Sequence, residues 1–271
     1  MMKANHAYKY ILVAILIIML PMVLSAPKAM NAKFMQRHQN DTKIVVLNYH
    51  KIDEMNISLS VYPKDFDEQM AYLKEEGYNT ISPEQMIDNL ENGAPLPEKP
   101  VIITFDDGYL DNYTNAYPIL KKYGFTATVF VITDFIGTDP RFMNWDQVRE
   151  LSNAGFTIGS HTMQHKSLTD LKEKEIKAEL IGSNKALEYQ LGKKAEFFAY
   201  PTGTYNLRIA KIVKECGYKA AFTIKYGNVD KASNIYALER VPIFNTEQTF
   251  KSFCQRLQYT PLLERLGLIK I

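Results

Sequence analysis

Val101-Ile102-Ile103-Thr104-Phe105-Asp106-Asp107-Gly108 is an apolar run that ends in two adjacent acids and a glycine. The β-branched residues predict a buried strand. The two carboxylates stand where that strand should end, and Gly108 supplies a turn. Side-by-side carboxylates repel one another unless a cation or a shared proton offsets them. Core packing asks for no such pair. The stretch therefore predicts a metal ligand and a base held together at the C-terminal end of a strand.

Working outward, the same grammar repeats. Residues 44–50, Ile-Val-Val-Leu-Asn-Tyr-His, read as a buried strand ending in His50. Phe66, Met70 and Leu73 have helical spacing, and residues 78–81 read as a short strand. Ser82-Pro83-Glu84-Gln85 combines a serine cap, proline at the first helical position and Gln three residues after the cap, so a helix to about residue 92 follows. Beyond the Asp-Asp pair, helices are expected at 113–123, 145–153, 169–191, 207–216 and 247–257. Strands are expected at 126–132, 156–160, 197–200, 218–224 and 238–243. This alternation, without an internal repeat, predicts an α/β fold of parallel strands with helical crossovers, either a barrel or a doubly wound sheet. No GxGxxG follows the first strand, which argues against dinucleotide binding.

The 271 residues can bury a sizeable core, and 46% apolar with 23% charged residues is ordinary for a globular protein. A net charge of +2 with no dense basic stripe gives no case for nucleic acid. Seventeen tyrosines suit a cleft for polar rings, or equally strand-end filler. Cys216 and Cys254 form no disulfide framework and no zinc spacing; one bridge or two free thiols both fit. At the N-terminus, Lys3 and Lys9 precede ten uninterrupted apolar residues at 11–20. Residues 1–26 thus read as a signal peptide or an N-terminal membrane anchor. Either places the domain outside the cytoplasm, with the membrane met only through that segment. Residues 27–42 read as a linker, and 43–271 as the domain.

The unusual residues of the domain all fall at C-terminal strand ends, where βα loops build active sites. They are His50, Asp106, Asp107, His161 and the segment Tyr200-Pro201-Thr202-Gly203. His161-Thr162-Met163-Gln164-His165 is an HxxxH element, whose spacing sets two imidazoles on one side of a helical turn. Two His and one Asp make a three-ligand site with open positions for water and substrate. A solvent-exposed pair of loop histidines is the bland alternative. His50, His161 and His165 are the three histidines of the domain.

TFDDG (104–108), SHTxxH (160–165) and the later FxYPxG (198–203) together resemble the polysaccharide deacetylase family, also called the NodB-homology domain or carbohydrate esterase family 4. The similarity is greatest to its poly-N-acetylglucosamine deacetylase branch, whose members begin with a strand ending in Tyr-His. It runs from about Val45 to Ile243. The resemblance implies a distorted (β/α) barrel of about seven parallel strands with outer helices. It implies Asp106 as general base and His50 as general acid. Asp107, His161 and His165 would hold a divalent ion, zinc first, with cobalt, nickel or iron as alternatives. Tyr200 and Pro201 would shape the groove, and a backbone N–H near Thr202 would serve the oxyanion. The implied partner is an N-acetylated glycan polymer of a biofilm or cell wall.

Departures from the family pattern are specific. Its third motif usually begins with an arginine that orients the base, but Lys194-Ala195-Glu196-Phe197 has none. Arg240, in Leu238-Glu239-Arg240, is a candidate substitute, beside the alternative of a surface or structural ion pair. Trp145 reads as a packing residue at a helix start. A peptidoglycan or chitooligosaccharide deacetylase, or an esterase, remains an alternative, because loops such as 53–62 and 133–144 build the groove. A non-catalytic glycan-binding protein is the alternative of another class; such relatives lose a ligand or the base, and neither is lost here.

Overall fold

In the computed structural model, which describes residues 43–268, parallel strands close into a barrel. Its ring runs β1 (Val45–Tyr49), β3 (Pro100–Phe105), β4 (Thr128–Val131), β5 (Thr157–Ser160), β6 (Phe197–Ala199), β7 (Ala220–Tyr226), β8 (Leu238–Pro242) and back to β1. The two-residue β2 (Asn79–Thr80) pairs with the start of β3 outside that ring. Closure is through β1, which pairs with β3 from Val45↔Val101 to Tyr49↔Phe105 and with β8 at Leu47↔Val241 and Asn48↔Pro242. A closed ring of seven strands answers the choice between barrel and open sheet.

Helices cover the outside: α1 (Pro63–Glu75), α2 (Pro83–Asn92), α3 (Tyr117–Tyr123), α4 (Trp145–Asn153), α5 (Glu173–Leu191), α6 (Leu207–Glu215) and α7 (Thr249–Arg265). The cap before α2 is as the sequence predicts. Ser82 Oγ accepts from Gln85 N–H at 3.2 Å, and Gln85 Oε1 accepts from Ser82 N–H at 2.9 Å. Trp145 begins α4 and packs against the outer core. Three helices differ from expectation. The 113–123 helix is a π turn, Asn112–Ala116, followed by α3. The 169–191 helix starts only at Glu173, after a separate 3₁₀ turn, Leu168–Asp170. The last helix continues to Arg265, past Pro261. Cys216 and Cys254 are free thiols. The segments read as signal or anchor and as linker lie outside the described residues, and no described helix is long and apolar enough to cross a membrane.

Strand alternation divides the core in two. Val45, Leu47 and Tyr49 of β1, with Val101, Ile103 and Phe105 of β3, pack outward under the helices. Val46, Ile102, Phe130, Phe222 and Leu238 form a second cluster on the opposite faces, which fills the barrel. Side chains two positions on share a strand face. Stepping by two from Val46, Ile102 and Leu238 therefore reaches Asn48, Thr104 and Arg240, all buried. The barrel interior is thus apolar below and polar above, and its polar layer lies directly under the C-terminal strand ends. Gly159 of β5 shows how tightly it is filled: a Cβ there would lie 2.4 Å from the Phe130 ring and 3.0 Å from the Phe197 carbonyl. We expect Gly159→Ala to destabilise the fold by about 1–3 kcal/mol; a urea midpoint equal to that of the parent chain would show that the interior has room to yield.

Candidate active site

Asp106 and Asp107 follow β3 directly, and neighbours on an extended strand point to opposite faces. Here the backbone turns instead. Asp107 has φ 74° and Gly108 φ 82°, both left-handed. Asp tolerates that region better than most residues, and glycine enters it freely. At Gly108 a side chain is also excluded by space, since a Cβ would lie 2.9 Å from Val131 Cγ1. The turn brings both carboxylates to one cavity of about 410 Å³ at the mouth of the barrel.

Asp106 is buried and held by three hydrogen bonds from two side chains. Arg240 Nη1 donates to its Oδ1 at 2.8 Å and Arg240 Nη2 to its Oδ2 at 2.7 Å. Asn48 Nδ2 donates to Oδ2 at 3.1 Å. The guanidinium is itself fully enclosed, and its Nε donates to the Thr223 carbonyl at 2.7 Å. Burial alone would raise the Asp106 pKa, but the Arg240 charge and its two hydrogen bonds hold that carboxyl well below the usual range. Arg240, the candidate substitute for the missing motif arginine, thus forms an ion pair with Asp106 that is buried in the barrel rather than at the surface. His50 Nε2 lies 3.9 Å from Asp106 Oδ2, with the imidazole partly exposed.

Asp107 is pushed the other way. Burial raises its carboxyl to about 6, and its Oδ1 is buried with no hydrogen-bond partner. That same oxygen lies 3.5 Å from His161 Nε2 and 3.4 Å from His165 Nε2. Burial lowers the pKa of His161 to about 3 and lowers that of His165 as well, so both rings are neutral. His161 Nδ1–H donates to the Ala199 carbonyl at 2.8 Å, which leaves Nε2 as a lone-pair donor facing Asp107. The three atoms that could ligate an ion, one from each residue, lie within 4.8 Å of one another. An orphaned buried carboxylate oxygen beside two neutral imidazole nitrogens is a donor set fit for a divalent cation.

The HxxxH element is not the helical turn that its spacing predicts. It is an irregular loop, with Thr162 at φ 67° and His165 at φ 58°. Helix α5 fixes its shape. Buried Glu179 accepts from the N–H groups of Met163 and Gln164, at 2.9 and 3.0 Å on one carboxylate oxygen. One turn on, Met163 Sδ rests where a Cβ of Gly182 would be, and Ser183 Oγ meets Ser160 Oγ at 2.8 Å. From the other side, Thr133 and Asp134 N–H donate to the Thr162 and Met163 carbonyls.

Of the segment after β6, Tyr200 and Thr202 border the cavity, with Gly203, while Pro201 is buried behind it. Leu59, Ile224 and Phe244 add an apolar wall. Sequence reasoning missed Asn48, Tyr109 and Glu179. Asn48 carried a signal, as a polar residue inside an apolar run; Glu179 carried none, being one acid in a charged helix.

Removing one partner of a buried ion pair strands the other. Arg240→Ala should therefore cost about 3–5 kcal/mol in urea unfolding, and Asp106→Asn with Arg240→Met should recover most of it. A loss of less than about 1 kcal/mol would mean that the pair is hydrated. Glu179→Ala frees the loop that carries both imidazoles. Chelator competition should then show a divalent-ion affinity about 10–100-fold weaker; unchanged affinity would mean that the loop holds its shape without α5.

The description "Polysaccharide deacetylase" fits residues 93–221 as a family. YxkH of Bacillus subtilis (strain 168), named as a polysaccharide deacetylase, is 36% identical over 205 residues, 76% of this chain and 73% of that protein. The poly-β-1,6-N-acetyl-D-glucosamine N-deacetylase of Staphylococcus aureus (strain MRSA252) is 28% identical over 245 residues, 80% of this chain and 83% of its own. Among solved structures, the Streptococcus pyogenes deacetylase PplD, in complex with acetate, superposes with a TM-score of 0.75 at 32% identity, covering 80% of this chain and 99% of that one. Sequence motifs, barrel and relatives agree, and the chain belongs to the polysaccharide deacetylase family.

Proposed function

We propose that this protein is a divalent-metal-dependent N-deacetylase that removes acetyl groups from a polymer of N-acetylglucosamine outside the cytoplasm. The observation that carries the proposal is the meeting of Asp106, Asp107, His161, His165 and His50 in one cavity. Polymer substrates are supported by the Staphylococcus aureus relative, named for poly-β-1,6-N-acetyl-D-glucosamine. The extracytoplasmic site rests on the N-terminal apolar segment at 11–20.

In this reading Asp107, His161 and His165 hold the ion. Two imidazole nitrogens and one carboxylate suit zinc, with cobalt, nickel or iron as substitutes. When bound, such an ion supplies Lewis acidity toward the acetamide carbonyl and acidifies water. Asp106 accepts the proton of the attacking water; the Arg240 charge keeps it ionised, so it is ready at any neutral pH. His50, within 3.9 Å of Asp106 and partly open to solvent, donates a proton to the departing amine. Without that proton the tetrahedral species would return to amide. Gly203 N–H is committed to the Tyr200 carbonyl at 2.8 Å, so the Thr202 N–H is the backbone donor for the oxyanion. The apolar wall of Leu59, Ile224 and Phe244 accommodates the acetyl methyl and the C–H face of the sugar.

The test is acetate release from β-1,6- and β-1,4-linked N-acetylglucosamine oligomers, before and after chelation. Chelation should abolish release and added zinc should restore it. Asp106→Asn should keep its metal and lose about 10²–10⁴-fold in kcat, whereas Asp107→Asn should bind the ion more weakly. Release that persists through chelation refutes the metal; equal loss of metal in both variants refutes the division of roles. Faster turnover of the β-1,4 series would assign the protein to chitooligosaccharides or peptidoglycan.

A further inference from the structure

Residues 50–52 carry His50 past the end of β1, where the ladder to β3 stops at Tyr49↔Phe105. Side chains of one short turn take over the backbone there. Asn112 Nδ2 donates to the His50 carbonyl at 2.7 Å. Asp111 Oδ1 accepts from Ile52 N–H at 2.7 Å, and Asn115 Nδ2 donates to the Ile52 carbonyl at 2.7 Å. The residue between is held as well, since Lys51 Nζ lies 3.0 Å from Asp111 Oδ2. Asn112 Nδ2 also donates to Asp111 Oδ1 at 3.1 Å, which joins the gripping groups to one another. These side chains stand on the π turn Asn112–Ala116 and on the residue before it. Such turns are rare and are frequent at functional sites. Only Tyr109 and Leu110 separate Asp111 from the Asp106-Asp107-Gly108 turn, so the clamp and Asp106 belong to one connected segment.

Two features exceed what the folding of a loop asks for. Asn112 is buried, and its Oδ1 has no hydrogen-bond partner among the described residues. An apolar side chain of similar size would avoid that cost, so the amide is present for its donor. The second feature is the ring of His50 itself. Among the described residues no hydrogen bond fixes the imidazole; its Nε2 stands 3.9 Å from Asp106 Oδ2, too far for one. The aim of the ring therefore depends on where the backbone of residue 50 is held. Asn112 ties that backbone to the π turn at the His50 carbonyl. Asp111 and Asn115 occupy both backbone polar groups of Ile52, so the segment cannot rotate as a unit.

We propose that Asp111, Asn112 and Asn115 are positioning residues, which hold His50 at a fixed separation from Asp106. The proposal rests on the deacetylase reading above, in which His50 protonates the departing amine. The acid must reach the leaving nitrogen while the base holds the proton taken from water, so the two groups have to stand in register across one reacting carbon. A misplacement of about 1 Å in such a pair costs about 10²-fold in rate. The clamp meets that demand because it grows from the same segment as the base.

The test is a double-mutant cycle of Asn112→Ala with His50→Ala, in which acetate release from a β-linked N-acetylglucosamine tetramer and zinc affinity are measured for every chain. Asn112→Ala should lower kcat about 10–100-fold at unchanged KM and unchanged zinc affinity. In the His50→Ala background the same substitution should lower kcat no further, because the residue it acts through is gone. Losses that multiply across the two positions overturn the proposal, as do a parental kcat and a fall in zinc affinity. Should Asn112→Ala fail to fold, Asn115→Ala, at a half-buried position, replaces it in the cycle and is read by the same outcomes. Should the parent chain release no acetate from the tetramer, the deacetylase reading fails, and NMR of histidine-labelled protein decides the clamp separately. Shifted or split His50 ring signals in the variant support it, and parental signals overturn it.

Discussion

A charge pair at the centre of the barrel, Arg240 with Asp106, constrains everything above it. Taking two ions out of water costs several kcal/mol each, and only close geometry with further hydrogen bonds offsets that. Here the offset is nearly complete. Two guanidinium nitrogens meet two carboxylate oxygens, Asn48 adds a third bond to the acid, and the Thr223 carbonyl takes the remaining Nε–H. The groups arrive from β8, β3, β1 and β7. The pair can therefore exist only when the ring is closed with its strands in register, and the closed ring has a polar upper layer that only such a network can satisfy. Barrel and acid depend on each other.

From that pair follows the opposite behaviour of two neighbours in sequence. Asp106 faces an enclosed cation and stays ionised. Asp107, one residue on, has burial without an arginine of its own, and its carboxyl rises to about 6. The left-handed turn at Asp107 and Gly108 aims both acids into one cavity while giving each a different electrostatic surrounding. A carboxylate that is costly to ionise beside two neutral imidazoles gains most from a cation, and a carboxylate already paired gains least. The opposite electrostatic states of the two acids are thus a property of where Arg240 lies.

This division was only partly legible in the sequence. Strands ending in His50, Asp106, His161 and Tyr200 could be read because buried parallel strands are continuous apolar runs, and a polar residue at their end stands out. The family motifs then implied which residues would be ligands. What could not be read is what joins distant parts of the chain. Arg240 lies 134 residues from Asp106, so the sequence offered it only as a candidate partner, beside the alternative of a surface or structural ion pair, and the pairing itself has no local signature. Glu179 is indistinguishable from the other acids of α5 until the fold lays it against residues 163 and 164. The HxxxH spacing pointed to a helical turn because that is the simplest way to juxtapose residues four apart. The chain instead uses two left-handed residues and a borrowed carboxylate, and spacing alone does not separate those solutions.

The same reasoning explains why surfaces built by loops are less determined by the fold than surfaces built on strand ends. Strand-end residues are fixed by barrel register, so a site built on them varies little. A second cavity of about 430 Å³, lined by Lys51, Met55, Ile57, Tyr109 and Arg141, is built largely by two loops, and loops obtain order from contacts that must be invented case by case. In this chain the contacts are Lys51 with Asp111 and Asp53, Arg141 with Asp139, and the packed pair Tyr109 and Phe142. Tyr109 is the exception to the split between scaffold and loop. It follows the Asp-Asp-Gly turn directly, so barrel register places it, yet it lines both the loop-built cavity and the one at the barrel mouth. A change in either loop alters the shape beyond Tyr109 without touching Asp107, His161 or His165 behind it.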